Sequence, residues 1–121
     1  MNIINLEENA CFEPGNFYAD IAADEGPSAL IKKINADGTD DTIADYDLIW
    51  ASVKITEANN GRDASSEEEY NAFIKWLEGY KDMIETIYVT YELLSFFHFP
   101  FEDEVYIDPV DGFAKFPDSE E

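Results

Sequence analysis

Carboxylates interrupt this chain so often that they limit the longest element it can bury without one. The longest stretch free of Asp and Glu, "GPSALIKKINA" from Gly26 to Ala36, is eleven residues. Acids number 28 against 7 Lys and Arg, with twelve in residues 1–60 and sixteen in 61–121, for a net charge of −21. An acidic tail would form one detachable block; these acids are spread. Yet the chain is 45% hydrophobic and 15% aromatic, and a disordered acidic chain lacks the apolar surface that offsets ordering entropy. The combination calls for a folded core coated in carboxylate, as one domain over residues 1–121.

Such a coat costs stability. Two carboxylates about 7 Å apart in water repel by roughly 0.6 kcal/mol before screening. Many such pairs weigh against a folding free energy of about 5–15 kcal/mol. Solubility asks for a net charge of only about 2–8 in a small domain, so the excess invites a functional reason.

No targeting signal is expected. "MNIINLEENACFEPG" has neither a basic n-region nor an apolar h-region, and no run of about 20 apolar residues occurs. The single cysteine, Cys11, excludes an internal disulfide framework and fits a reducing compartment, so a cytoplasmic protein is expected. Anionic lipid and nucleic acid would both repel this surface. Neither a membrane nor direct nucleic-acid binding is expected; the natural partners are basic.

The clearest predicted element is "SSEEEYNAFIKWLEGYKDMIETIYVTYELLSFF". Ser66 and Glu69 have capping-box spacing, and Glu67, Glu68 and Glu69 suit the positive end of a helix dipole. Tyr70, Phe73, Ile74, Leu77, Tyr80, Ile84, Ile87, Tyr88 and Tyr91 recur at helical steps. A long amphipathic helix over about 66–97 is therefore predicted, with Gly79 as a place to kink or divide it and Pro100 as its late limit. Glu78, Glu85 and Glu92 would form a stripe on its outer face at heptad spacing, with Asp82 beside them.

"DLIWASVKITEA" is rich in β-branched and aromatic residues and reads as containing a strand, although Ile43, Tyr46, Trp50 and Val53 also fit a helical stripe. "GPSALIKKINADG" reads as a short helix between Pro27 and Gly38. "DEVYIDP" reads as a short edge strand and "ANNGRDASS" as a loop. Residues 109–121, "PVDGFAKFPDSEE", are left open between an ordered segment and a flexible tail. The expected fold class is α+β: a small single domain with one long helix packed on a short, mainly antiparallel sheet.

The chemistry-bearing motifs are few. If Gly38 were the glycine of an EF-hand loop, its first ligand would be Lys33 and its last Ala44, and both fail. A weaker cation site from Asp37, Asp40 and Asp41 competes with a plain solvated loop. His98, the only histidine, lies in the aromatic run "SFFHFPF" and reads as a packed imidazole; a Cys11–His98 pair would depend on the fold. One Cys and one His do not suit zinc, and no nucleotide-binding or hydrolase signature is present. The tyrosines and Trp50 and Trp76 read as core or interface packing, because base-stacking platforms sit in basic grooves. No enzyme activity and no cofactor are expected.

Charge is what remains. Duplex DNA carries one charge per about 1.7 Å, so 21 net charges correspond to about 36 Å of duplex, close to the roughly 35 Å diameter of a domain this size. In composition the chain resembles the small acidic DNA-mimic proteins of phages and bacteria, such as the phage antirestriction protein Ocr. The resemblance spans the whole chain and rests on no shared motif. It implies a non-catalytic protein whose carboxylates stand in for phosphates on a basic partner: a histone-like HU protein, a restriction enzyme, a nuclease or another DNA-processing enzyme. It implies no fold. The acidic surface expected to do this comprises Asp37, Asp40, Asp41, Asp45 and Asp47; Glu67, Glu68 and Glu69; Glu78, Asp82, Glu85 and Glu92; and Glu102, Asp103, Glu104 and Asp108 in "FEDEVYID".

Two alternatives stay open. An immunity protein for a nuclease toxin would also be small, acidic and non-catalytic, but would rely on a few aromatic and carboxylate hot spots. An acidic domain adapted to high salt would need no partner at all, though six Lys to one Arg with twelve Ile is not the composition expected of one.

Overall fold

A computed structural model describes residues 1–9, 11–23, 26–98, 106–107 and 112–115. The elements run β1 (Asn2–Asn5), β2 (Phe17–Ala22), β3 (Ser28–Ile34), β4 (Asp40–Asp47), α1 (Leu48–Ala58), α2 (Ser66–Glu78), β5 (Thr86–Val89), α3 (Tyr91–Phe96), β6 (Tyr106–Ile107) and β7 (Ala114–Lys115). The first five strands make one mixed sheet in the order β1-β5-β2-β3-β4, and β6 pairs with β7. β5 enters the sheet between β1 and β2, parallel to both; β2–β3 and β3–β4 are antiparallel.

The α+β class holds, but the expected architecture does not. No helix spans 66–97. α2 stops at Glu78, and Gly79, Tyr80 and Lys81 donate to the carbonyls of Trp76, Leu77 and Glu78, the tighter bonds that close a helix end. The chain then becomes a strand, because "TIYV" is β-branched and aromatic and buries alternate residues, Ile87 and Val89, in the sheet. Thr90 restarts a helix by capping α3, its side chain accepting from the Leu93 amide at 3.3 Å. Ile84, Ile87, Tyr88 and Tyr91 satisfied the helical period by coincidence across a turn, a strand and a new helix.

Two shorter segments exchange roles. "SALIKKI" is strand β3 rather than a helix, with Ala29, Ile31 and Ile34 buried. The supposed helix stop is a hairpin turn, where Gly38 takes φ +89°, its amide donates to the Asn35 carbonyl, and Asn35 bonds back to Thr39. "LIWASVKITEA" is helix α1 rather than a strand, because Asp47 caps it and Leu48, Ala51, Ser52 and Ile55 form its inner stripe.

The core lies between the sheet and the helices. Tyr70, Phe73, Ile74 and Leu77 of α2 are fully buried at steps of three and four, joined by Leu93 and Phe97 from α3 and its cap. Phe73 sits 5.5 Å from the ring of Phe97 and 6.2 Å from that of Tyr46 on β4. Losing a core ring such as Phe73 would cost about 3–5 kcal/mol.

On the other face of the sheet, Phe12 stacks on Tyr18 at 4.4 Å, and Tyr18 lies 5.4 Å from Tyr88. The 11–16 loop thereby covers the β2–β5 end of that face. Among the described residues no corresponding aromatic stack covers the β3–β4 end.

Candidate interaction surface

The acidic stretch that dominates the sequence becomes the end of the sheet. Asp37 does not face a partner in the first instance: its Oδ1 accepts from the Thr39 amide at 3.0 Å and from the Thr39 hydroxyl at 2.6 Å, which builds the β3–β4 turn. These bonds hold its carboxyl below the usual carboxylate range. Asp40, Asp41, Asp45 and Asp47 then lie along β4. Among the described residues β4 pairs with β3 alone, so its other edge is open.

That edge is guarded. The register shifts at Ile31/Lys32 and leaves Ile43 unpaired as a bulge. Bulges and charge both discourage a second strand from adding to an edge.

Strand geometry sorts the aspartates. Asp45 lies opposite Leu30 and Asp47 opposite Ser28, on the sheet face away from the buried Ala29 and Ile31. Together with Ala22, Gly26 and Thr42 these residues line a shallow, open depression of about 500 Å³. Asp41 lies opposite Lys33 in the register without an ion pair: the Lys33 ammonium sits 5.9 Å from the centre of the Phe17 ring, and Asp41 accepts from the Asn35 side chain at 3.4 Å. Asp40 and Asp45 are exposed and form no ion pair among the described residues. Eight residues of strand span about 23 Å at roughly 3.3 Å per residue. Four carboxylates over that length have about half the linear charge density of one DNA strand.

The other expected acids that lie among the described residues sit on other elements than β4. Glu67 is 8% exposed and turned into the fold. Glu68 closes the capping box of α2, one residue earlier than its spacing suggested: its side chain accepts from the Ser65 amide at 2.9 Å while the Glu68 amide donates to Ser65. Arg62 and Asn59 also donate to it. These bonds, the Ser65 amide foremost, pull its carboxyl down to about 2. Glu69 is half-buried; burial, helped by the Glu69 charge, raises the Tyr46 hydroxyl above its ordinary pKa.

The outer stripe of the expected long helix dissolves with that helix. Glu78 is the half-buried last residue of α2, Asp82 lies in a turn, Glu85 precedes β5 and Glu92 lies in the first turn of α3. Glu102, Asp103, Glu104 and Asp108 lie outside the described residues.

Two aromatic-rich readings also change. His98 is exposed with φ +62°, not the packed imidazole that the sequence suggests. Trp50 is not core: it is 59% exposed, beside Ile49 at 55% and Val53 at 49%. Lys54 lies 5.3 Å from the centre of its ring. Trp76 is half-buried against Tyr46 and Tyr80. The signal for Trp50 was available: with Leu48, Ala51 and Ile55 as the inner stripe of α1, a helical reading puts Trp50 outside.

Among the described residues no group of three or more His, Cys, Asp or Glu is arranged to hold a metal ion, and no helix is long and apolar enough to cross a membrane. No family model, curated protein or solved structure matches this chain.

Proposed function

We propose that this protein is a non-catalytic DNA mimic, which occupies the DNA-binding surface of a basic protein and competes with DNA for it. The observation that carries this proposal is β4: an open edge strand on which Asp40, Asp41, Asp45 and Asp47 follow one another, in a chain of net charge −21. A row of fixed carboxylates on a rigid sheet presents negative charge with little ordering cost on binding. The partner is a histone-like HU protein, a restriction enzyme, a nuclease or a related DNA-processing enzyme. Association is steered by the whole charge of the domain, and exclusion of nucleic acid follows from occupancy. Affinity falls steeply with salt.

The exposed Trp50, Ile49 and Val53 favour a second reading, a dedicated inhibitor of a nuclease such as an immunity protein, in which an aromatic anchor holds the complex. The two separate in one experiment. The protein is immobilised, a nuclease-treated bacterial lysate is passed over it at low salt, and elution is attempted with duplex DNA and then with a salt gradient. A mimic releases DNA-binding proteins to the duplex. A partner held against DNA and through high salt supports the dedicated inhibitor.

A further inference from the structure

Helix α1 is apolar on both sides, which is unusual for a helix on the surface of a small domain. Its inner stripe, Leu48, Ala51 and Ile55, packs toward the core, and its outer side carries Ile49, Trp50 and Val53, each about half exposed or more. A helix apolar all round is ordinarily buried on all sides. Isolated surface apolar residues need no explanation, but three large ones within a single turn do. Lys54 shields one side of the indole and still leaves Trp50 59% exposed.

The patch sits at the end of the acidic strand. Asp47 is both the last residue of β4 and the cap of α1, its Oδ1 accepting from the Trp50 amide at 2.9 Å. Charge therefore borders the apolar face directly, without a flexible linker between them. A second copy of this chain would bring the same aspartates against one another, and that repulsion argues against self-association.

We infer that the outer face of α1 is the apolar anchor of the interface, and that it receives an apolar patch rimmed by Lys and Arg on a basic partner. This rests on the part of the proposed function that the mimic and the dedicated inhibitor share, an acidic surface that binds a basic partner. Ile49, Trp50 and Val53 fill the apolar centre, while Asp45 and Asp47 meet the cationic rim. An indole buried at the centre of a charged rim is the arrangement in which binding energy concentrates.

Two synthetic helical peptides of equal length and charge test this, one built of Lys and Leu with an apolar face, the other of Lys and Ala. Titrated at low salt, the protein binds the Lys/Leu peptide roughly tenfold more tightly than the Lys/Ala peptide. Trp50→Ala brings the two within about twofold, chiefly by weakening the Lys/Leu peptide. Met83→Ala, which removes an equally exposed apolar side chain elsewhere (58%), leaves the preference intact. Far-UV circular dichroism shows that the variants are folded, and Trp50→Gln repeats the test with a polar residue.

The inference is overturned if the preference survives Trp50→Ala or is lost equally with Met83→Ala. Equal wild-type binding of both peptides removes the anchor and leaves the acidic-surface proposal standing; binding of neither peptide contradicts both. A sedimenting dimer abolished by Trp50→Gln also overturns it, since a second copy would then be the occupant.

Discussion

The carboxylate of Asp47 accepts a hydrogen bond from the backbone amide of Trp50 at 2.9 Å. One residue thus ends the acidic strand, starts the helix and fixes the exposed ring of Trp50 beside the aspartates of β4. Asp47→Ala should lower stability by about 1 kcal/mol in urea unfolding, as expected for a lost cap. Asp47→Asn keeps an acceptor and should stay close to wild type. Equal stability of the two variants would mean that the cap contributes nothing.

Glu68 gives a pH dependence whose sign is fixed. Its folded pKa is depressed to about 2, so its stabilising contribution is complete above the ordinary glutamate range near pH 4.5 and is lost as pH falls toward 2. Relief of repulsion among other carboxylates acts the opposite way, so wild type alone would mislead. The difference between wild type and Glu68→Ala isolates the group: about 0.5–1 kcal/mol at pH 7 for a partly exposed helix-end charge, shrinking steadily between pH 5 and 2. A gap that widens on acidification would refute the assignment.

Thr90 joins the sheet to α3. Its amide donates to the Ala19 carbonyl, its hydroxyl donates to Asp20 at 2.9 Å, and the same oxygen accepts from Leu93. Asp20 in turn pairs with Lys32 at 3.4 Å. Thr90→Ala should cost about 1–2 kcal/mol, and Thr90→Ser should recover most of it, as read from urea midpoints at constant slope.

Charge on β4 should trade binding against stability. Asp40→Lys combined with Asp45→Lys changes two exposed carboxylates that form no ion pair among the described residues and lie opposite Ile34 and Leu30. The double variant should melt no lower than wild type, because each change relieves self-repulsion of the order of 0.6 kcal/mol per close pair. Its affinity for the Lys/Ala peptide should nevertheless fall several-fold. Loss of stability without loss of affinity would make those aspartates structural.

Some of this was legible in the sequence. Ser65, Ser66 and the glutamates after them announced the start of α2, and Tyr70, Phe73, Ile74 and Leu77 announced its buried face, because cap and period agree there. Beyond Gly79 the two signals parted. Ile84, Ile87 and Tyr91 kept helical spacing, while "TIYV" had strand chemistry, and the gap between β1 and β2 decided the matter by offering Ile87 and Val89 a place in the sheet. Such long-range pairing leaves no local mark.

β3 and α1 were exchanged for a related reason. Pro27 and Gly38 frame a strand and its turn as readily as a helix, and apolar residues on both sides of α1 hid its period. The aspartates of 37–47 were legible as a group. Their division into a turn-builder, a cap and an exposed row was not, because it depends on which amides the fold places beside each carboxylate.

The most direct measurement is competition with DNA. A fluorescent duplex is bound to each basic protein captured on the immobilised chain, and its anisotropy is followed as this protein is added at low salt. The proposed function predicts full release of the duplex near one equivalent, weakened by added salt and by the Asp40→Lys, Asp45→Lys pair. A duplex that stays bound while this protein also binds would place the interface away from the DNA site and contradict the mimicry.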